Sequence, residues 1–229
     1  MTNLSNLSSQ YPRKIVLLEL ERIQVPPGQH IILENVSWQE FEQILDDFKE
    51  HSGTRLAYDG GFLEIMTPSI QYGADTEIVG DLVKLLLEEL DLEFCSLGST
   101  TFKKESLQGL EPDQCFYIQN EARIRGKKRI DLTIDPPPDL AIEIDITSRT
   151  HPKIYVALNV PELWRFEHGK LQINVLKNGA YEIIEESLIF PGFALSEMIP
   201  RYLAESKIAG RNATLKKFRK WVQAKVQSK

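Results

Sequence analysis

Residues 138–148 read Pro-Asp-Leu-Ala-Ile-Glu-Ile-Asp-Ile-Thr-Ser and follow two further prolines, Pro136 and Pro137. Proline has no N–H to give to a β-ladder, so an extended segment must start after the triplet. Alternate residues of a strand face opposite sides. Leu140, Ile142, Ile144 and Ile146 then form an unbroken apolar face, and Asp139, Ala141, Glu143, Asp145 and Thr147 form the other. Glu143 and Asp145 would stand about 6–7 Å apart. Acids are poor strand formers, and neighbouring carboxylates repel unless something positive lies between them. Two readings are open: a solvated acidic face, or a divalent-cation site.

The rest of the chain narrows the classes. At 229 residues, 42% of them hydrophobic and 26% charged, a single domain with appendages is expected, with a core of ordinary size. No apolar run reaches the roughly 18 residues of a membrane span, and the Ser/Asn-rich start lacks the pattern of a signal peptide. Cys95 and Cys115 form no CxxC pair, which suits free thiols in a reducing cytoplasm. The histidines at 30, 51, 151 and 168 have no zinc-ligand spacing. From Glu205 onward there are eight basic residues and one acid, +7 of a whole-chain −6, so the remainder carries −13. That tail is also amphipathic: Leu215, Phe218, Val222 and Val226 recur on one helical face.

The expected organisation is a flexible segment over 1–13, a main domain over 14–195 and C-terminal helices over 196–229. Ser37 and Glu40 have capping-box spacing, which predicts a helix to about residue 50. Asp59-Gly60-Gly61, His168-Gly169 and Asn178-Gly179 mark hairpin turns. A helix is expected over about 75–90, where Ile78, Leu82, Leu85 and Leu86 recur at helical spacing. Residues 113–118 read as a strand. Strict alternation over 130–135 predicts another strand, and a short helix over 152–158 leads into a meander over 162–186.

Metal-assisted phosphodiester hydrolysis needs carboxylates on neighbouring strands and a cation for transition-state charge. Asp113 opens one predicted strand and Glu143 sits mid-strand 30 residues later. With the Ile144 carbonyl, the pair supplies the protein share of an octahedral Mg²⁺, with Mn²⁺ as a possible substitute. The plainer roles are a strand cap for Asp113 and a cap after the prolines for Asp139. Trp164 is expected in the core, and the basic tail is expected to pack on the body with weak electrostatics.

Four segments in this order carry a family resemblance: residues 61–69 (GFLEIMTPS), 111–113 (EPD), 138–145 (PDLAIEID), and Tyr155 followed by 159–164 (NVPELW). Together they resemble the Uma-type restriction endonucleases, a bacterial branch of the PD-(D/E)XK nuclease superfamily, over about residues 35–190. The resemblance implies an α/β fold with a central mixed sheet flanked by helices. It implies that Asp113 and Glu143 bind the metal, that Glu77 assists from a helix, and that Glu64 lies near the same site. It also implies DNA as the partner, with no organic cofactor.

The chain departs from the superfamily pattern at Asp145, where that pattern has lysine. Asp145 is then a candidate third ligand. Lys153 is the nearest replacement cation, with Arg149 and Lys103 as others, although a solvated lysine and a helix-surface Glu77 are the ordinary alternatives. The expected function is a Mg²⁺-dependent endodeoxyribonuclease using a metal-activated water. Since cutting both strands needs two sites, a homodimer is expected. The alternative is a nuclease-fold module that binds DNA or protein without cutting. A metal-free hydrolase with paired carboxylates is disfavoured, because no aromatic cluster surrounds the motif.

Overall fold

The computed structural model describes residues 23–48, 54–98, 100–104, 108–144 and 151–228. Its elements, in chain order, are β1 (Gln29–Glu34), α1 (Trp38–Phe48), β2 (Arg55–Asp59), β3 (Phe62–Thr67), α2 (Ile70–Glu89), β4 (Cys95–Leu97), β5 (Phe102–Lys104), β6 (Gln108–Leu110) and β7 (Gln114–Tyr117). Then come α3 (Glu121–Ile124), β8 (Leu140–Ile144), α4 (His151–Ala157), β9 (Glu162–Glu167), β10 (Lys170–Lys177), β11 (Ala180–Ile184), α5 (Leu195–Ala209) and α6 (Arg211–Gln227).

Local chemistry sets most of these boundaries. At the start of α1, Ser37 N–H donates to Glu40 Oε2 at 2.7 Å and Glu40 N–H to Ser37 Oγ at 3.2 Å, the two halves of a capping box. The expected turns close two-residue hairpins. Asp59 pairs with Phe62, Glu167 with Lys170 and Lys177 with Ala180. Their central residues all have positive φ, which matches the right-handed twist of the flanking strands. α2 starts at Ile70, one turn earlier than the periodicity suggested, because Ser69 Oγ caps it by accepting from Tyr72 N–H at 3.1 Å.

Two sheets result. The six-stranded mixed sheet runs β11-β10-β9-β8-β7-β4, and the antiparallel five-stranded sheet runs β1-β3-β2-β6-β5. The second sheet and the short β6 go beyond the expected single central sheet. β8 and β9 are parallel, joined by a crossover that contains α4. β8 has partners on both edges and helices on both faces, so all five of its residues are buried. Leu140, Ile142 and Ile144 belong to one buried cluster with Leu82 and Leu86 of α2, Ile199 of α5 and Phe218 of α6. Ala141 faces the other way, into a cluster with Ile154, Tyr155 and Leu158. That cluster also holds Ala57, Phe102 and Leu110 of the smaller sheet, so α4 is wedged between the two sheets.

The basic tail folds onto the body. Phe218 and Val222 of α6 are fully buried in the core. Outside that seam, Lys207 pairs with Asp75 at 2.8 Å, Arg211 with Asp81 at 2.5 Å and Arg219 with Glu89 at 2.8 Å. Lys217 pairs with Glu205. Most of these tail cations thus answer acids on α2.

The strand expected over 130–135 is a turn instead. Asp131 accepts from Thr133 N–H at 2.9 Å and from its hydroxyl at 2.7 Å, while Asp135 accepts from Asp131 N–H at 3.0 Å. These side-chain bonds give the backbone a local alternative to a ladder, and they leave Ile134 71% exposed.

Candidate active site

The two sheets meet over Asp113 and Glu143. β7 and β8 pair with Gln114 opposite Ile142, so one register step further Asp113 stands beside Glu143. Both are almost wholly buried, at 2% and 4% exposure. Asp113 Oδ2 accepts from Ile144 N–H at 2.8 Å. Its Oδ1 accepts from the Tyr72 hydroxyl, presented by the first turn of α2. Glu143 Oε1 accepts from the Tyr155 hydroxyl of α4. Each carboxylate is therefore held by a phenol from a different helix.

The smaller sheet closes the other side. Along β2 and β3, Leu56, Tyr58, Leu63 and Ile65 turn toward Phe41, Ile44 and Leu45 of α1. The alternate residues, Arg55, Ala57, Glu64 and Met66, turn to the opposite face. Arg55 is paired with Met66 and Ala57 with Glu64. The small Ala57 side chain leaves room there, and a narrow cleft opens between Arg55, Glu64, Met66, Tyr72, Asp113 and Glu143. Glu64 is 5% exposed. Arg55 Nη1 donates to the Pro112 carbonyl at 3.3 Å, and Arg55 Nε lies 4.0 Å from Asp113 Oδ1.

Burial and the Glu143 charge push the Asp113 carboxyl well above its ordinary range, against the Ile144 and Tyr72 hydrogen bonds and the Arg55 charge. Burial and the two carboxylates likewise raise Tyr72 and Tyr155, so both phenols stay protonated and act as donors.

The donors facing the cleft are hard carboxylate oxygens, the chemistry that suits Mg²⁺. Each oxygen has two lone pairs, so hydrogen bonding does not exhaust the acceptor capacity of Asp113. Among the described residues no three His, Cys, Asp or Glu side chains are already drawn together as an ion cage. Mg²⁺ usually takes one or two carboxylates and fills the rest of its octahedron with water and phosphate, so the Asp113–Glu143 pair fits.

Of the residues proposed from sequence, Asp113, Glu143 and Glu64 meet at this cleft. Glu77 does not line it: it is exposed on α2, within electrostatic reach of Arg211. Lys153 is exposed too. It lies two residues before Tyr155 on α4, about 200° around the helix from the side chain that reaches Glu143. Lys103 is engaged with Glu42 at 3.4 Å. Asp145 and Arg149 lie outside the described residues. Asp139 is a cap, accepting from Ile118 N–H at 2.7 Å and from Asn120 N–H and Nδ2–H at 3.0 and 2.7 Å. Trp164 is fully buried in the core.

Sequence reasoning missed Arg55, Tyr72 and the role of Tyr155. Alternation in the 55–67 hairpin was the available signal for Arg55, since it shares a strand face with Ala57. Arg165 was missed as well. It stands opposite Glu143 in the β8/β9 register, and its buried Nε has no hydrogen-bond partner among the described residues.

A solved structure similar to this chain is that of a protein described as a putative nuclease from Anabaena variabilis. Identity is 16% and the TM-score 0.42, covering 66% of this chain and 90% of that one. No curated protein matches the chain. The family model Uma2, described as "Putative restriction endonuclease", matches residues 38–199, a span that includes every residue lining the cleft. The chain belongs to the Uma2 family.

Proposed function

We propose that the protein is a Mg²⁺-dependent endonuclease that hydrolyses DNA phosphodiester bonds. The observation carrying this reading is the side-by-side burial of Asp113 and Glu143 at a cleft, each held by a tyrosine hydroxyl. Burying adjacent carboxylates is costly, and an arrangement that costs stability points to a task. Membership of a family described as restriction endonucleases supports the same reading.

Asp113 and Glu143 would hold Mg²⁺, or Mn²⁺ in its place, and the metal would supply Lewis-acid polarisation of the phosphate and a more acidic water. The chain's own part is positioning. Ile144 N–H and Tyr72 fix Asp113, and Tyr155 fixes Glu143. Glu64 adds a third carboxylate at the cleft wall. In the reaction, a water oxygen bonds to phosphorus while the opposite ester oxygen leaves. One hydrogen of the water ends on the new phosphomonoester and the other on the departing alcohol. Asp145, two residues beyond Glu143, is kept as a third ligand in this proposal. Cutting both strands calls for two sites, so the proposed working form is a homodimer, which sedimentation would distinguish from a monomer.

The test is supercoiled plasmid incubated with the purified chain in EDTA, then with Mg²⁺ or Mn²⁺ added back. Nicked or linear product that appears only with metal is expected. Intact plasmid under all conditions would sink the reading. The exposed position of Lys153 favours one alternative, a module that binds DNA or protein without cutting. It predicts a DNA mobility shift in EDTA that survives Glu143→Ala, with no cleavage when metal is added.

A further inference from the structure

We infer that Arg55 is the site's phosphate-facing cation, taking the place of the lysine absent at position 145. This rests on the nuclease reading above. β2 carries Arg55 on the face that forms the cleft, across from Met66. Its side chain is 20% exposed while that of Asp113 is 1% exposed, so Arg55 reaches solvent where the acid does not. A guanidinium has five N–H donors. One of them, on Nη1, goes to the Pro112 carbonyl at 3.3 Å, which anchors the group beside the EPD segment. Nε stands 4.0 Å from Asp113 Oδ1, close enough for attraction and too far for a hydrogen bond. Among the described residues the other guanidinium N–H groups meet no hydrogen-bond acceptor, so they are kept for a ligand.

The ligand it suits is a phosphodiester. The planar guanidinium fork matches two oxygens of a phosphate, which a lysine ammonium cannot do. With Asp113 and Glu143 at the back of the cleft and Arg55 at its margin, a phosphate would be held between metal-ligating carboxylates and a fixed positive charge. Charge that builds on the non-bridging oxygens in the transition state is then met by a group already in place. The exposed Lys153 and the Glu42-bound Lys103 have no such position.

The experiment is steady-state plasmid cleavage in Mg²⁺ by wild type, Arg55→Gln, Arg55→Lys, Arg55→Ala and Arg165→Gln, each with a thermal melt. Removing one preorganised donor typically costs about 10²–10³-fold in turnover. Arg55→Gln is expected to lose activity on that scale in kcat, with Arg55→Lys intermediate. Methylguanidinium added to Arg55→Ala should restore activity, which a purely structural role would not allow. If wild type cleaves, Arg55→Gln keeps wild-type kcat and the loss falls on Arg165→Gln instead, the Arg55 assignment is overturned and the nuclease reading stands. A folded Arg55→Ala that loses activity without any methylguanidinium rescue also overturns the assignment. If wild type itself leaves DNA intact with both Mg²⁺ and Mn²⁺, both fall.

Discussion

Tyr72 and Tyr155 each donate to one buried carboxylate, and the two carboxylates are the centre of the proposed site. Groups that orient a metal ligand typically matter about 10–100-fold in metal affinity or activity. Tyr155→Phe should therefore weaken metal-dependent cleavage by about that factor. It should also destabilise the protein by about 1–3 kcal/mol, because a buried acceptor loses its donor. Urea titration and a Mg²⁺ dependence of the rate check the two effects separately. A Tyr155→Phe protein with wild-type metal dependence would show that the phenol only fills space. Asp113 makes a second prediction. Its folded-state pKa is raised, so protonated Asp113 favours the folded, metal-free chain, most fully below the ordinary carboxylate range of about 4. That contribution is lost as pH rises through the elevated folded value. In EDTA, denaturation midpoints of wild type should fall relative to Asp113→Asn over this window. Added Mg²⁺ should reduce the fall, since metal binds the deprotonated form.

At the scale of elements, α6 is a core helix that carries a basic surface. Phe218 is fully buried, its ring edge-on to Tyr202 of α5, and Phe→Ala at such a site costs about 3–5 kcal/mol. Arg219 is about half exposed and pairs with Glu88 and Glu89, so Arg219→Ala should cost about 1 kcal/mol or less. Chemical denaturation of the two variants checks the contrast. Equal costs would mean that ion pairs, rather than the apolar seam, fix the helix. This seam was legible in the sequence because Leu215, Phe218 and Val222 keep helical spacing, as were three hairpins and a capping box written in local residue chemistry. The alternation at 130–135 misled for an equally local reason: Asp131 and Asp135 bond nearby backbone N–H groups and hold a turn. α2 begins one turn before the periodic residues because Ser69 caps it there, a signal that apolar spacing does not carry.

At the scale of the whole molecule, the site exists because two sheets approach each other. Asp113 and Glu143 belong to the larger sheet, Arg55 and Glu64 to the smaller, and α2 and α4 bring one tyrosine each. Strand pattern and the family resemblance made Asp113 and Glu143 candidates, but neither could show that residues 55 and 72 come up to residue 113. That is a property of topology, set by how β2 crosses to β6 and how α2 packs under the mixed sheet. The same limit applies to Lys153, which is close to Glu143 in sequence but is exposed on α4, about 200° around the helix from Tyr155. The most direct test of the account is the rate of plasmid cleavage in Mg²⁺ by wild type and Glu143→Gln, a change of one oxygen to nitrogen at a buried carboxylate proposed to bind the metal. Cleavage by wild type and a loss of at least about 10²-fold in the variant is the predicted result. Equal rates for the two proteins, or intact plasmid with wild type in Mg²⁺ and Mn²⁺ alike, would contradict it.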